Sequence, residues 1–163
     1  MNNWPKQSEC DAFYGNPRGA AGKSNPAWES TNLIRVPCPW DLRMGDSSIK
    51  AITIHKKCAD SLSYVLDSVW SDIGQSQEEA DRLGYSTFSG SFAFRKIRAG
   101  SRLSMHAYGC AIDFDAPHNA LGSVKHRFSA NDPLIRRFKE ECWVWGGDWK
   151  TRPDAMHIQA AIV

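Results

Sequence analysis

The sequence predicts a single α+β domain, with a mostly antiparallel sheet and flanking helices, on three observations. Apolar residues recur at helical spacing from Cys58 to Ile73. From Phe88 onward, and again over the last residues, the period shortens to two, as in half-buried strands. Helical and strand-like stretches are segregated along the chain, which favours antiparallel pairing over a parallel sheet with crossover helices. A chain of 163 residues fits one domain, 1–163, and a domain of that size buries about 68–70% of its unfolded surface.

Residues 1–48 are rich in Gly, Pro, Asn and Ser, with turn signals at Asn16-Pro17-Arg18-Gly19 and Asn25-Pro26. They read as an irregular arm that wraps the core or edges a cleft. Trp4, Tyr14, Trp28 and Trp40 would pin it, because each aromatic brings a large area to bury. Within the arm, Asn32 to Val36 reads as a short strand.

The helix that follows carries Cys58, Leu62, Val65, Leu66, Val69, Trp70 and Ile73, with Asp60, Ser61, Ser63 and Asp67 between them, and Gly74 stops it. A lesser helix spans Gln77 to Leu83 and ends at Gly84. Beyond it, Phe92 and Phe94 alternate with Ser91, Ala93 and Arg95, and Ala111, Asp113 and Asp115 alternate with Ile112 and Phe114. His157, Gln159 and Ala161 alternate with Met156, Ile158, Ala160 and Ile162. Between these strands Asp132-Pro133, a cap residue followed by proline, opens a helix through Leu134, Ile135, Phe138 and Cys142. Trp143-Val144-Trp145 then runs into a turn at Gly146-Gly147.

A formal net charge of +2 argues against a nucleic-acid-binding protein. No apolar run approaches the length of a membrane span, so no membrane insertion is expected. The opening Met1-Asn2-Asn3-Trp4-Pro5-Lys6 lacks the basic flank and apolar stretch of a secretory signal, and cytoplasmic synthesis is expected. A monomer is expected. Cys10, Cys38, Cys58, Cys110 and Cys142 include no Cys-x-x-Cys pair and read as buried reduced thiols. Arg95, Lys96, Arg98 and Arg102 form a basic cluster, read either as a solvated face or as attraction to an anionic substrate. Arg136, Arg137 and Lys139 read as a solvated face.

The residues that carry chemistry lie in Ser104-Met105-His106-Ala107-Tyr108-Gly109-Cys110-Ala111-Ile112-Asp113 and in Asp154-Ala155-Met156-His157. His106, Asp113 and His157 form a credible set of three metal ligands, the number that a catalytic zinc site uses while leaving a position for water. Gly109 argues against a helix here, so His106 belongs to a turn and Asp113 to the strand after it. His157 then starts a strand that must lie beside the first. Asp113 sits in an otherwise apolar strand, where an unpaired carboxylate is costly and coordination would relieve the cost. Two imidazoles favour zinc over magnesium or calcium. Asp154, in the turn after Pro153, is the extra carboxylate that a hydrolase uses to move protons. Asp115-x-x-His118 has ligand-like spacing too, but Pro117 and Asn119 make it a loop, and His55 and His126 have no carboxylate at useful spacing. Asp115 itself reads as a support for the ligands or as a solvated residue.

The pattern Ser-x-His-x-x-Gly-x-Ala-x-Asp with a distal acid-x-x-His resembles the zinc D-alanyl-D-alanine peptidases, a family that includes phage endolysins cutting the L-alanyl-D-glutamate bond. The resemblance runs from roughly Phe88 to Val163, the expected metal-site core, and touches Trp4-Pro5 and Tyr14-Gly15. It implies a Hedgehog/D-Ala-D-Ala peptidase-like fold, a Zn²⁺ site at His106, Asp113 and His157, and Asp154 as the proton-moving group. It also implies Arg95 as the residue that polarises the scissile carbonyl or holds the oxyanion, with Arg98 as the alternative. Ser104 and Tyr108 would contact substrate or support the ligands. The implied partners are peptidoglycan stem peptides, reached after release to the cell wall. Asp instead of Glu in the acid-x-x-His motif resembles the endolysin branch. The alternatives are a D-alanyl-D-alanine carboxypeptidase with the same site and a shorter cleft, and a zinc-containing module that binds the wall without cleaving it.

Overall fold

The computed structural model describes residues 2–97 and 100–163. Two short helices, α1 (Cys10–Tyr14) and α2 (Pro26–Asn32), lead into a long hairpin of β1 (Leu33–Met44) and β2 (Ser47–His55). Helices α3 (Ala59–Asp72) and α4 (Gln77–Leu83) follow, then strands β3 (Phe88–Gly90) and β4 (Ala111–Phe114). Helix α5 (Pro133–Glu140) precedes β5 (Val144–Trp145) and β6 (His157–Gln159). The hairpin forms one sheet; the other is a four-stranded antiparallel sheet in the order β3-β4-β6-β5. The α+β class and its antiparallel pairing are as expected.

Helix α3 carries the expected apolar stripe, burying Leu62, Val65, Leu66 and Val69, and packs against β1 and α5. Ser76 caps α4, its side chain accepting from the Glu79 amide, and Gly84 closes it in the left-handed conformation. Asp132 accepts from Leu134 N–H and opens α5 ahead of Pro133. That helix ends at Glu140, short of Cys142, which has φ 63.

The hairpin differs from expectation. The strand expected over Asn32 to Val36 continues to Met44, and it has a partner at Ser47–His55 that the sequence reading does not anticipate. The signal for that partner lies in Ile52-Thr53-Ile54, where both isoleucines are fully buried. The ladder breaks between Pro37 and Leu42, a stretch containing Pro37 and Pro39, whose missing N–H groups cannot pair. This break conceals the length of β1 in the sequence.

The strand expected across Ser91–Arg95 is a second correction. The ladder ends at Gly90 (φ 135), and the next residues run outside any strand. They are held by Ala93 N–H to the His106 carbonyl (3.2 Å) and Ser104 N–H to the Arg95 carbonyl (3.0 Å).

All four arm aromatics, Trp4, Tyr14, Trp28 and Trp40, are buried. Tyr14 donates its hydroxyl to the Ala160 carbonyl (2.6 Å), and Trp28 its indole N–H to the Tyr14 carbonyl (3.0 Å). Gln7 N–H reaches the Ile162 carbonyl and Ile162 N–H the Pro5 carbonyl, both at 2.8 Å. The N-terminal segment is thus fastened to the chain just after β6, one side of the site described next. Among the described residues no helix is long and apolar enough to cross a membrane.

Candidate metal centre

Three elements bring the ligand candidates together. His106 lies in a single 3-10 turn, Met105–Tyr108, opened by Ser104, whose hydroxyl accepts from His106 N–H at 3.4 Å. Gly109 closes the turn at φ 63, and a Cβ there would come within 2.6 Å of a Leu33 methyl and 3.1 Å of the His55 amide nitrogen. Only glycine lets the turn sit this close to the hairpin. Asp113 lies on β4 between buried Ile112 and Phe114. His157 is its directly paired residue on β6, because β4 and β6 are antiparallel neighbours. The sequence requires this adjacency, and strand register supplies it.

The donor atoms converge. His106 Nε2 is 3.2 Å from His157 Nδ1 and 3.2 Å from Asp113 Oδ2, and His157 Nδ1 is 2.9 Å from Asp113 Oδ1. In a tetrahedral zinc site with bonds of about 2.0–2.1 Å, ligand atoms lie roughly 3.3 Å apart. The outward ring nitrogens are also occupied. His106 Nδ1 is 2.6 Å from the Ser91 carbonyl, and His157 Nε2 is 3.0 Å from Gln159 Oε1. The Gln159 amide is turned by its own N–H bond to the Ala161 carbonyl (2.7 Å), so its oxygen must be the atom that faces the imidazole. Both outer partners accept, so each histidine carries its proton outward and presents a lone pair inward. Two imidazole lone pairs and a carboxylate facing one point, with no donor among them, fit a cation. These three residues would hold Zn²⁺, and among the described residues they are the one such group.

The carboxyl of Asp113 is largely withdrawn from solvent, which alone would raise its pKa, but the two imidazoles outweigh desolvation and hold it well below the usual carboxylate range. Asp154 is pushed upward, by burial and then by Asp113, against the opposing influence of His157, His106 and Arg152. Its Oδ1 is buried without a hydrogen-bond partner, as is the indole nitrogen of Trp149, whose ring lies 5.6 Å from that of His157. Gly146 seats this corner. Its carbonyl accepts from Trp149 N–H (3.1 Å) and Asp154 N–H (2.9 Å), and a Cβ on it would come within 2.5 Å of the Asp154 carbonyl oxygen.

His106, Asp113, His157, Gln159, Trp149 and Asp154 open into one cleft of about 1060 Å³. Arg95, Ser104, Tyr108 and Asp154 line it with the three ligand candidates. Arg95 is exposed and reaches the cleft from irregular chain, not from a strand. Arg98 lies outside the described residues. Tyr108 donates its hydroxyl to Asp11 (2.7 Å), which pairs with Arg18 (2.7 Å), so the N-terminal arm supplies one wall.

The other histidines take no part. His55 is buried with Nε2 3.0 Å from the Tyr14 carbonyl, and burial lowers its pKa to about 4. His126 Nδ1 lies 2.5 Å from the Phe128 carbonyl. Asp115 and His118 do meet, at 2.8 Å, but as a hydrogen bond beside the ion pair of Asp115 with Arg127 at 2.9 Å. Asp115 neither supports the ligands nor meets solvent, contrary to expectation. Its φ of 47 turns it off the β4 face, and it is buried beneath the following loop. Cys110 is fully buried and burial raises its thiol pKa, which excludes it as a nucleophile.

Gln159 is a functional residue that sequence reasoning misses. Its signal is its place two residues after His157 on the same strand face. Gln159→Leu leaves the His157 Nε2–H without an acceptor, and zinc affinity is expected to fall about 10–100-fold. Competition against a chromogenic chelator measures this; unchanged affinity removes Gln159 from the site.

Residues 98–160 match the model of a family described as D-alanyl-D-alanine carboxypeptidase. The matched stretch is less than half of the chain but contains His106, Asp113, Asp154 and His157, along with Gln159. No curated protein and no solved structure matches the chain. The match supports a zinc metallopeptidase in general.

Proposed function

We propose that this protein is a zinc-dependent peptidoglycan peptidase that hydrolyses the L-alanyl-D-glutamate bond of the stem peptide. The observation that carries the reading is the convergence of His106 Nε2, His157 Nδ1 and the Asp113 carboxylate in a cleft that also holds the unpartnered Asp154 Oδ1. His106, Asp113 and His157 would hold Zn²⁺, which would supply Lewis-acid chemistry for a carbonyl and a water near neutral pH. Asp154 takes the proton of the attacking water and returns one to the leaving amine. Burial favours its protonated form, so the proton is readily held between the two steps. Arg95 donates to the oxygen that becomes negative as the carbonyl carbon turns tetrahedral. Ser104 braces the His106 turn, and Tyr108 borders the bound peptide beside Asp11.

The size of the cleft favours an endopeptidase, because about 1060 Å³ is ample for peptide on both sides of a scissile bond. A second reading, a D-alanyl-D-alanine carboxypeptidase, is favoured by the description of the matching family. Digestion of purified peptidoglycan separates the two. A new D-glutamyl amine is expected, whereas release of free D-alanine selects the carboxypeptidase. Peptidoglycan bound but never cut would select a non-catalytic module.

The arginine is testable separately. Arg95→Ala is expected to slow hydrolysis about 10²–10³-fold, the usual loss for an oxyanion donor, with zinc content unchanged. Arg98→Ala is expected to do much less. If Arg98→Ala is the crippled variant, the oxyanion role moves to Arg98.

A further inference from the structure

The charge of the cleft is more uneven than its metal site requires. Asp11, Asp113 and Asp154 are its carboxylates, but Asp11 already pairs with Arg18 and Asp113 faces the two imidazoles. Against them stand Arg18, Arg95, Lys96, Arg102 and Arg152. Among the described residues, five cations facing three carboxylates give the cleft lining a formal charge of +2. Among the described residues, Arg95, Lys96, Arg102 and Arg152 have no carboxylate within ion-pair distance. The helical arginines Arg136 and Arg137 are different, since both share Asp72 and Glu140.

The unpaired cations are held by structure. Lys96 pairs across to Leu103, and Ile97 N–H reaches the Arg102 carbonyl at 3.0 Å, so Lys96 and Arg102 stand on a rim that leads into the His106 turn. Arg152 lies two residues before Asp154, on the chain that enters β6, and is close enough for its charge to act on that carboxyl. A cleft lined by one sign of charge concentrates ligands of the other sign, and charges within a Debye length, about 10 Å at 0.1 M salt, act together.

We propose that Lys96, Arg102 and Arg152 make this cleft selective for peptides with free carboxylates beside the scissile bond, over the same peptides carrying carboxamides. The inference rests on the peptidase reading of the site and adds the charge state of its substrate.

Two synthetic stem peptides test it, identical except that the D-glutamate α-carboxylate of one is a carboxamide in the other. The wild-type protein is expected to show about tenfold higher kcat/KM for the carboxylate peptide at low salt, with the ratio shrinking as salt rises. In the double variant Arg102→Gln/Arg152→Gln, at unchanged zinc content, the ratio is expected to approach one. Equal kcat/KM for both peptides in the wild type, a salt-independent ratio, or an undiminished ratio in the variant would each overturn the inference. Should neither peptide be cut, anisotropy of the labelled peptides decides. Tighter binding of the carboxylate form keeps the charge selectivity while the peptidase reading falls, and equal binding ends both.

Discussion

Metal analysis of the purified protein is expected to find one zinc per chain, and His106→Ala, Asp113→Ala and His157→Ala are each expected to lose it together with all peptide hydrolysis. The three donors come from a 3-10 turn and two paired strands, and each removal leaves only two. Asp113→Ala should be the most disruptive to zinc, because it removes the one anionic ligand and leaves the two imidazoles 3.2 Å apart without the carboxylate that each also faces. Loss of zinc should cost stability as well, since a ligand that binds only the folded chain stabilises it by mass action. Thermal unfolding with and without a chelator reads that directly. Full zinc retention in all three variants would show that the ion sits elsewhere.

Asp154→Ala should separate chemistry from coordination. It is expected to keep stoichiometric zinc and a folded domain while turnover falls about 10²–10⁴-fold, the usual range for a general acid–base group. The carboxylate stands outside the convergent ligand set and has a buried, unpartnered oxygen, so its removal leaves no broken hydrogen bond at that atom. The fold is therefore expected to tolerate the change. Near-normal hydrolysis with zinc bound would take Asp154 out of the mechanism. Loss of zinc would make it a ligand and reopen the role of Asp113.

The metal set is legible in the order of residues because coordination chemistry restricts residue types and because Asp113 is anomalous in an apolar strand. Helices α3, α4 and α5 are legible for a related reason: periodic burial and the end signals at Asp132 and Gly84 are local events written in neighbouring residues. The hairpin is not. Its strands pair across a ladder interrupted near Pro37, and nothing local to Ser47–His55 specifies the partner that makes it a strand. The register of Ser91–Arg95 fails in the converse way, as alternation is present but no neighbouring strand completes the ladder beyond Gly90.

Sequence by itself determined which side chains are suited to a metal, where α4 and α5 begin, and that His157 had to lie beside Asp113. Tertiary structure alone decided how those side chains are aimed. The Ser91 carbonyl and Gln159 select the tautomers of His106 and His157, yet Ser91 lies 15 residues from His106 and acts through a backbone oxygen that every residue possesses. Likewise, the wall built from Asp11 and Arg18 exists only because the arm is fastened to residues following β6, almost the full chain away. Residue type is a local property of the chain, whereas the orientation of a ligand and the charge of a cleft come from groups that folding brings together.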